Sequence, residues 1–485
     1  MFDEFDDSEF PIDDYNQGDI EESLLKFKQL SNDQSIFFSE EEIELLSYHF
    51  FLTNKPKNQL MIINHGLYLF PNKVDFLVEK ASIFSLDNEY KQALDIIRLA
   101  KSLEPYNCMV HKMEGEILTD LEKFDEAEES FILALEYSQF EEQEFIVDIY
   151  INYAQLLSQN GQLEKANRLI ERAIKKYPDD ETLYNQLSLN FISGGQYQQA
   201  VDYFKQKIDA DPYSHLSWFH LGRFYELTNR QSLALSAYEY SGLANKDSKN
   251  SFFSMGSLYE SRNDYQKAIE NYKLSFKDDN DLYPYICIAR CYLAVENGEM
   301  ARMFLKKAVK LEDMLPEYHY LMGFSYLTDK QPLKGLPFFR KVYKDDPDDF
   351  SALKGILTCY SELERYADID EHYQSLKKSN KDIITANWKD FASIFYHSEL
   401  DELLDEILTE AKKNAELTEE LNGVLDAIKY DQEPSEKNKE TVISHLIHNF
   451  DDAVETVKLF CPELYYDDEE FKKLIKIYQN DKDEQ

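Results

Sequence analysis

Cys287 and Cys291 stand four residues apart in the apolar run LYPYICIARCYLA, and His445 and His448 stand three apart with Cys461 downstream. Thiols or imidazoles at such spacings share one face of a helix. A shared face is the first requirement of a metal site, or of a nucleophile beside its base. Neither set is completed. Tetrahedral zinc needs further ligands, yet no nearby Cys or His pair accompanies Cys287 and Cys291, and no acidic residue stands at a recognisable motif spacing from the two histidines. The expectation is buried structural thiols, and histidines used in packing or wetted at the surface. The acidic runs DDND at 278–281 and DPDD at 346–349 lack the spaced ligands and central glycine of a calcium loop, and read as solvated turns. Phosphate-cradling glycine loops, GxSxG elbows and HExxH helices are absent from the sequence. No catalytic residue, metal or cofactor is therefore predicted, and the chain is expected not to be an enzyme.

Composition narrows the partners. The 485 residues hold 93 Asp plus Glu against 52 Lys plus Arg, a formal charge of −41 that repels nucleic acid and anionic lipid. No stretch approaches the roughly 20 apolar residues of a membrane span, and MFDEFDDSEF has neither the basic start nor the apolar run of a signal peptide. Five scattered cysteines (Cys108, Cys287, Cys291, Cys359, Cys461) are odd in number and too few for a disulfide framework in a chain this long. A cytoplasmic protein with reduced thiols, no nucleic-acid partner and no membrane insertion is the expectation. At 43% hydrophobic residues it has ample material for a packed core.

The elements that carry these residues repeat. Pro71 and Pro105 are 34 residues apart, as are Pro178 and Pro212, and each follows a helical pattern that proline would stop. Ala93 and Ala127, then Ala166, Ala200, Ala234 and Ala268, keep the same beat, with Ala301 after 33. Within each period, two apolar stretches of helical spacing flank a short break such as SQNGQ, SGGQ, LDNEY or SRNDY. Each period predicts a helical hairpin that cannot bury its apolar stripes alone, so neighbouring hairpins must stack.

Trp218, Leu221, Gly222 and Tyr225, followed by Ala234 and Tyr238, resemble the tetratricopeptide repeat pattern. The resemblance implies an all-α fold of stacked helix-turn-helix repeats forming a right-handed superhelical solenoid, in which Gly222 and Ala234 let two helices approach closely. Ten repeats are legible over 40–383, beginning near residues 40, 74, 108, 147, 181, 215, 249, 282, 316 and 350. Their small-residue contacts are Ser47, Ala81, Gly115, Ala154, Ser188, Gly222, Gly256, Ala289 and Gly323, and their later knobs are Phe131, Phe204, Tyr238, Tyr272 and Phe339. About five extra residues, Glu142 to Ile146, precede the fourth repeat. Gly335 and Ile369 replace the usual second-helix alanine, which predicts looser packing there. A degenerate eleventh repeat is expected over 384–418, carrying Trp388, Phe391, Ala392, Phe395 and Ala411. Capping helices are expected over 419–485, near 419–430, 440–459 and 468–479, with DQEPSEKNKE at 431–440 as a flexible joint. At the other end, 1–18 reads as a disordered acidic tail and 19–39 as a capping helix, because Asp19 with Glu22 and Ser39 with Glu42 have capping-box spacing.

The resemblance makes the chain a scaffold or adaptor that holds a protein segment or peptide in a concave groove. A structural subunit of a homo- or hetero-oligomeric assembly, or a regulatory enzyme subunit, stands as the alternative; the sequence leaves the oligomeric state and the partner open. Leu216, Phe219, Arg223 and Glu226 share a helical stripe apart from Trp218, Leu221 and Tyr225, and the resemblance turns that stripe toward the groove. Equivalent stripes carry Asn250, Phe253, Ser257 and Glu260; Tyr283, Ile286, Arg290 and Leu293; and Glu317, Tyr320, Phe324 and Leu327. The expected site is therefore Phe219, Arg223, Phe253, Tyr283, Arg290, Tyr320 and Phe324, with the arginines pairing a ligand carboxylate and the aromatics anchoring apolar groups. The competing reading packs these aromatics between adjacent repeats.

Overall fold

The computed structural model describes residues 17–30, 35–276, 282–308, 316–413, 418–448 and 450–484. The acidic segment before Gln17 and the DDND run lie outside these residues. Among them the chain is helical, without strands. After α1 (Gln17–Leu30), ten pairs follow: α2 (Glu40–Leu52) with α3 (Pro56–Leu69), α4 (Val74–Leu86) with α5 (Tyr90–Leu103), α6 (Cys108–Asp120) with α7 (Phe124–Tyr137), α8 (Gln143–Gln159) with α9 (Leu163–Lys176), α10 (Glu181–Ser193) with α11 (Tyr197–Ala210), α12 (His215–Leu227) with α13 (Gln231–Ala244), α14 (Lys249–Ser261) with α15 (Tyr265–Ser275), α16 (Leu282–Ala294) with α17 (Gly298–Ala308), α18 (Pro316–Thr328) with α19 (Pro332–Asp345), and α20 (Phe350–Glu362) with α21 (Tyr366–Ser379). Short α22 (Lys381–Ala386) leads into a further pair, α23 (Trp388–His397) and α24 (Asp401–Lys412). Then come α25 (Thr418–Gln432), α26 (Glu436–His448), α27 (Phe450–Phe460), α28 (Pro462–Asp467) and α29 (Glu469–Glu484).

The turn inside each pair has one chemistry. A single left-handed residue sits at Asn54, Asn88, Glu122, Gly161, Gly195, Asn229, Asn263, Glu296, Lys330, Glu364 and Glu399. At the second of these, Asn88 N–H donates to Ser85 O at 2.9 Å and Glu89 N–H to Phe84 O at 2.8 Å, and this bond pair recurs at every turn of the series. These two bonds satisfy the last carbonyls of the first helix and reverse the chain. Glycine at 161 and 195 adopts the left-handed conformation without the Cβ clash that the glutamates and Lys330 accept. The interval lengthens most between Glu122 and Gly161, where the extra residues before the fourth repeat are absorbed by a longer α8.

Two compact units, Met1–Gln199 and Ala200–Gln485, divide the chain. In the first, the Ser39 capping box opens α2: Ser39 Oγ accepts from Glu42 N–H at 3.2 Å, and Glu42 Oε2 accepts from Ser39 N–H at 2.7 Å. α1 begins at Gln17, and the Asp19 side chain lies outside the described residues. First helices α4, α6, α8 and α10 approach one another in succession, as α16, α18 and α20 do in the second unit. Second helices of successive pairs do not come so close among the described residues. Within each unit the first helices therefore lie on the tighter, inner side of the stack.

Packing inside the pairs follows the small-residue positions. A Cβ on Gly222 would stand 2.5 Å from the Tyr238 ring, one on Gly256 2.6 Å from Tyr272, and one on Gly323 2.6 Å from Phe339. Those distances are impossible without displacing a buried ring, so glycine sets the helix separation. Gly355, which the repeat pattern did not single out, does the same from the next pair, with its Cβ position 2.4 Å from Phe339. The expectation of looser packing at Gly335 is overturned: a Cβ there would lie 2.8 Å from the Gly323 carbonyl oxygen, because the missing side chain lets the helices close up. Ile369 is likewise buried. The expected flexible joint at 431–440 is also corrected. Residues 431–432 finish α25 and 436–440 begin α26, while Leu421, Val424, Val442, Val457, Phe460 and Phe471 share one core with Trp388 and Phe391. Burying that surface fixes the turn. The helix expected over 440–459 is two, α26 and α27.

Candidate functional site

In the second unit α16, α18 and α20 approach one another on the inner side, and α12, α14, α16 and α18 carry the expected stripe. The structure treats its members differently. Phe219 is 8% exposed, with its ring centroid 5.7 Å from that of Tyr238; it belongs to the packing of its pair and offers little to a ligand. Tyr320 and Phe324 are half-buried, 4.5 Å apart, and both lean on Phe339. The ring contacts of these three lie inside their own pairs, neither open as anchors nor between adjacent repeats as the competing reading had them. Phe253 is half-buried between Tyr272 at 5.2 Å and Tyr283 at 5.7 Å, and Tyr283 is 51% exposed. Phe253 and Tyr283 thus form an aromatic ledge spanning two neighbouring pairs, with its outer ring open to solvent.

The two arginines part in the same way. Arg290 Nε donates to Glu260 Oε1 at 2.6 Å, and Nη2 to Oε2 at 3.2 Å, while Nη1 reaches Glu317 Oε1 at 3.4 Å. Glu260 also accepts from the Tyr272 hydroxyl at 2.6 Å. The Glu260 bond holds the guanidinium charged well above its ordinary range, and burial together with Glu260 raises the Tyr272 phenol. Arg290 is therefore a strut between three pairs, its charge already spent on two carboxylates of this chain. Arg223 is half-buried and makes no hydrogen bond or ion pair among the described residues. Glu226, at the position of Glu260, likewise accepts from the tyrosine of its own pair, Tyr238, at 2.8 Å. Burial, reinforced by the Arg223 charge, holds the His220 imidazole down at about 3, so His220 is neutral and adds no like charge beside Arg223.

Side chains with chemical reactivity are quiet. All five cysteines are buried, and burial pushes the Cys287 thiol up to about 11 and Cys291 to about 12, keeping both protonated and unreactive at neutral pH. His445, for which the sequence spacing suggested no acidic partner, has one in Asp426 on the neighbouring helix, Nε2 to Oδ2 at 3.0 Å. The His448 side chain lies outside the described residues. No group of three His, Cys, Asp or Glu side chains among the described residues is placed to hold a metal ion.

Comparison with known proteins adds matches to parts of the chain. Residues 147–189 and 185–250 each match the description "Tetratricopeptide repeat". BBSome complex member BBS4 of Bos taurus is 21% identical over 337 residues, covering 68% of this chain and 63% of that protein. Protein O-mannosyl-transferase TMTC3 of Homo sapiens is 21% identical over 286 residues, covering 56% of this chain and 31% of that protein. The chain thus spans about a third to just under two thirds of the length of these relatives. Among solved structures, the crystal structure of the APC/C hetero-tetramer Cut9-Hcn1 is similar at 14% identity and a TM-score of 0.35, covering 81% of this chain and 90% of that one. No described helix is long and apolar enough to cross a membrane.

Proposed function

We propose that this chain, whose residues 147–250 match the tetratricopeptide repeat, is a protein-interaction scaffold that holds a protein segment on the inner side of its second unit, around Arg223 and the ledge of Phe253 and Tyr283. The observation that carries this reading is Arg223: a half-buried guanidinium with no hydrogen-bonding or ionic partner among the described residues, in a chain of formal charge −41. An arginine left so in an acidic protein is poised for a carboxylate, which it can grip with two parallel N–H donors. Tyr283 supplies exposed aromatic surface of the kind that dominates interface energetics. The ligand is accordingly a segment carrying an Asp, a Glu or a free carboxyl terminus beside an apolar residue.

The scaffold acts without catalysis. Its thiols are buried and protonated, and the transferase named above aligns with this chain over only 31% of its own length. Buried reduced thiols favour a cytoplasmic setting. A second reading, a structural subunit of a larger assembly, draws on the name of BBS4 as a complex member. The test is affinity capture from the native cell followed by titration of the retained partner. Arg223→Ala should weaken binding by about 1.5–3 kcal/mol, the range for hydrogen bonds to charged groups, with thermal stability unchanged. Undiminished binding by Arg223→Ala would place the partner elsewhere, and large homo-oligomers by light scattering without any ligand would favour the assembly reading.

A further inference from the structure

A groove of about 600 Å³ lies at the amino-terminal end of the first unit, between Leu30 at the end of α1 and the side of α3. Buried Leu30 and His65, half-buried Met61 and the 73% exposed Tyr68 line it. His65 is fixed in place, its Nε2 bonding the Ile36 carbonyl at 2.7 Å. Lys57 supplies the lining with its charge; it is exposed and makes no hydrogen bond or ion pair among the described residues. A surface this free of carboxylates is unusual in the chain. From Leu45 to Val74 there is no Asp or Glu, the longest such run in a sequence with 93 acidic residues among 485, and the same run holds Lys55, Lys57 and Lys73. Lys73 is paired with Glu40 and Asp75. Lys57 is left to face the solvent.

The sequence immediately before α1 has the opposite composition. Residues 1–16, MFDEFDDSEFPIDDYN, hold seven carboxylates and no Lys or Arg, with Phe2, Phe5, Phe10 and Tyr15 among them. Opposite charge and matching apolar content make that segment complementary to the groove. It is also long enough to arrive there. The 14 residues of α1 are about 21 Å long at the helical rise, and an extended chain advances about 3.3 Å per residue. About seven residues therefore return from Gln17 to the level of Leu30, which brings Phe10 to the groove and leaves Phe5 to follow it. One ion pair at an exposed lysine contributes little, so the rings supply most of the energy and the charge selects the segment.

We propose that this groove is the docking site of the chain's own amino-terminal segment, with the rings of Phe5 and Phe10 against Met61 and Tyr68 and the carboxylates of Asp6, Asp7 and Glu9 facing Lys57. The contact closes the end of the array, and any other acidic, aromatic segment must displace it to use the groove. The test uses the full chain. All five native cysteines are buried, so Ser8→Cys gives one accessible thiol for a nitroxide spin label, and methyl NMR of the methionines reads its proximity. The Met61 methyl should be broadened strongly and that of Met109 on α6, which is also solvent-exposed, should not. Phe5→Ser combined with Phe10→Ser should restore the Met61 signal, and Lys57→Glu, at an exposed position that the fold tolerates, should restore part of it. Without any label, the same phenylalanine pair of substitutions should shift the Met61 methyl resonance, so a nitroxide that displaces the segment does not hide the contact. An unshifted Met61 resonance, or broadening that survives either set of substitutions in full, would overturn the proposal. Broadening of Met61 in an unlabelled chain mixed with a spin-labelled, NMR-silent one, as strong as within one chain, would overturn it in favour of the segment of a second copy.

Discussion

Arg223 and Arg290 occupy the same position of their respective first helices, yet one has no ionic partner among the described residues and the other is bound by two carboxylates. The difference comes from neighbouring pairs. Glu260 precedes Arg290 by one repeat and Glu317 follows it, so the guanidinium closes a bridge across three pairs. Around Arg223, Ile192 stands where Glu260 stands and Asn250 where Glu317 stands, so neither neighbouring pair places a carboxylate at those positions. Identical register thus yields a structural strut in one place and an open charge in the other. A repeat protein's framework positions tell which side chains face inward. Whether an inward charge is available depends on the adjacent repeats.

Four measurements separate the surroundings of Arg223 from those of Arg290. The largest effect is expected beneath Arg223. Gly222→Ala pushes a Cβ into the Tyr238 ring, and overpacking of this kind costs about 3 kcal/mol, read as a lowered denaturation midpoint. Ala289 occupies the same place in the pair of Arg290, and Ala289→Gly should cost only about 1 kcal/mol from helix propensity. If the two substitutions cost the same, the pairs are not packed as differently as the rings indicate.

Next is pH. His220 is held neutral in the fold at about 3, below its ordinary 6.5. The unfolded chain therefore binds the extra proton first, so this contribution to stability is present above about 6.5 and is lost as pH falls toward the folded value. Between pH 6.5 and 5 the wild type should lose about 2 kcal/mol more than His220→Phe. Parallel pH profiles would remove the argument that Arg223 sits beside a neutral ring.

A smaller effect is expected at Glu260→Ala, which leaves Arg290 only the longer contact to Glu317 and strands the Tyr272 hydroxyl. Breaking a fully buried ion pair costs about 3–5 kcal/mol. Here Glu260 is 17% and Arg290 42% exposed, so solvent screening reduces the expectation to about 1.5 kcal/mol, measurable as a shift in urea midpoint. The smallest stability effect belongs to Arg223→Ala, within about 0.5 kcal/mol of wild type as for surface sites without partners. A loss as large as that of Glu260→Ala would mean that Arg223 is a strut as well.

The sequence by itself determined the period, the helix pairs and the close contacts, because these depend on local spacing. Gly222, Gly256 and Gly323 recur opposite Tyr238, Tyr272 and Phe339, and each contact joins helices adjacent in the chain. Turns at Asn88, Gly161, Gly195 and Asn263 could be read from residue type, whereas Glu122, Glu296, Lys330, Glu364 and Glu399 adopt the same left-handed conformation with residues that do not advertise it. Those turns were visible only through the repeat. Only the tertiary structure decided which inward residues are spent and which are open. Phe219 is buried by Tyr238, Arg290 is taken by Glu260 and Glu317, and Gly335 closes onto the Gly323 carbonyl instead of loosening its pair. The groove at Tyr68 likewise needs Leu30 and Met61 brought together by α1 and α3, which are not consecutive in the chain. The physical reason is common to all of these: helix spacing assigns a side chain to a face, but its exposure and its partners depend on contacts between separate pairs, which no local pattern encodes.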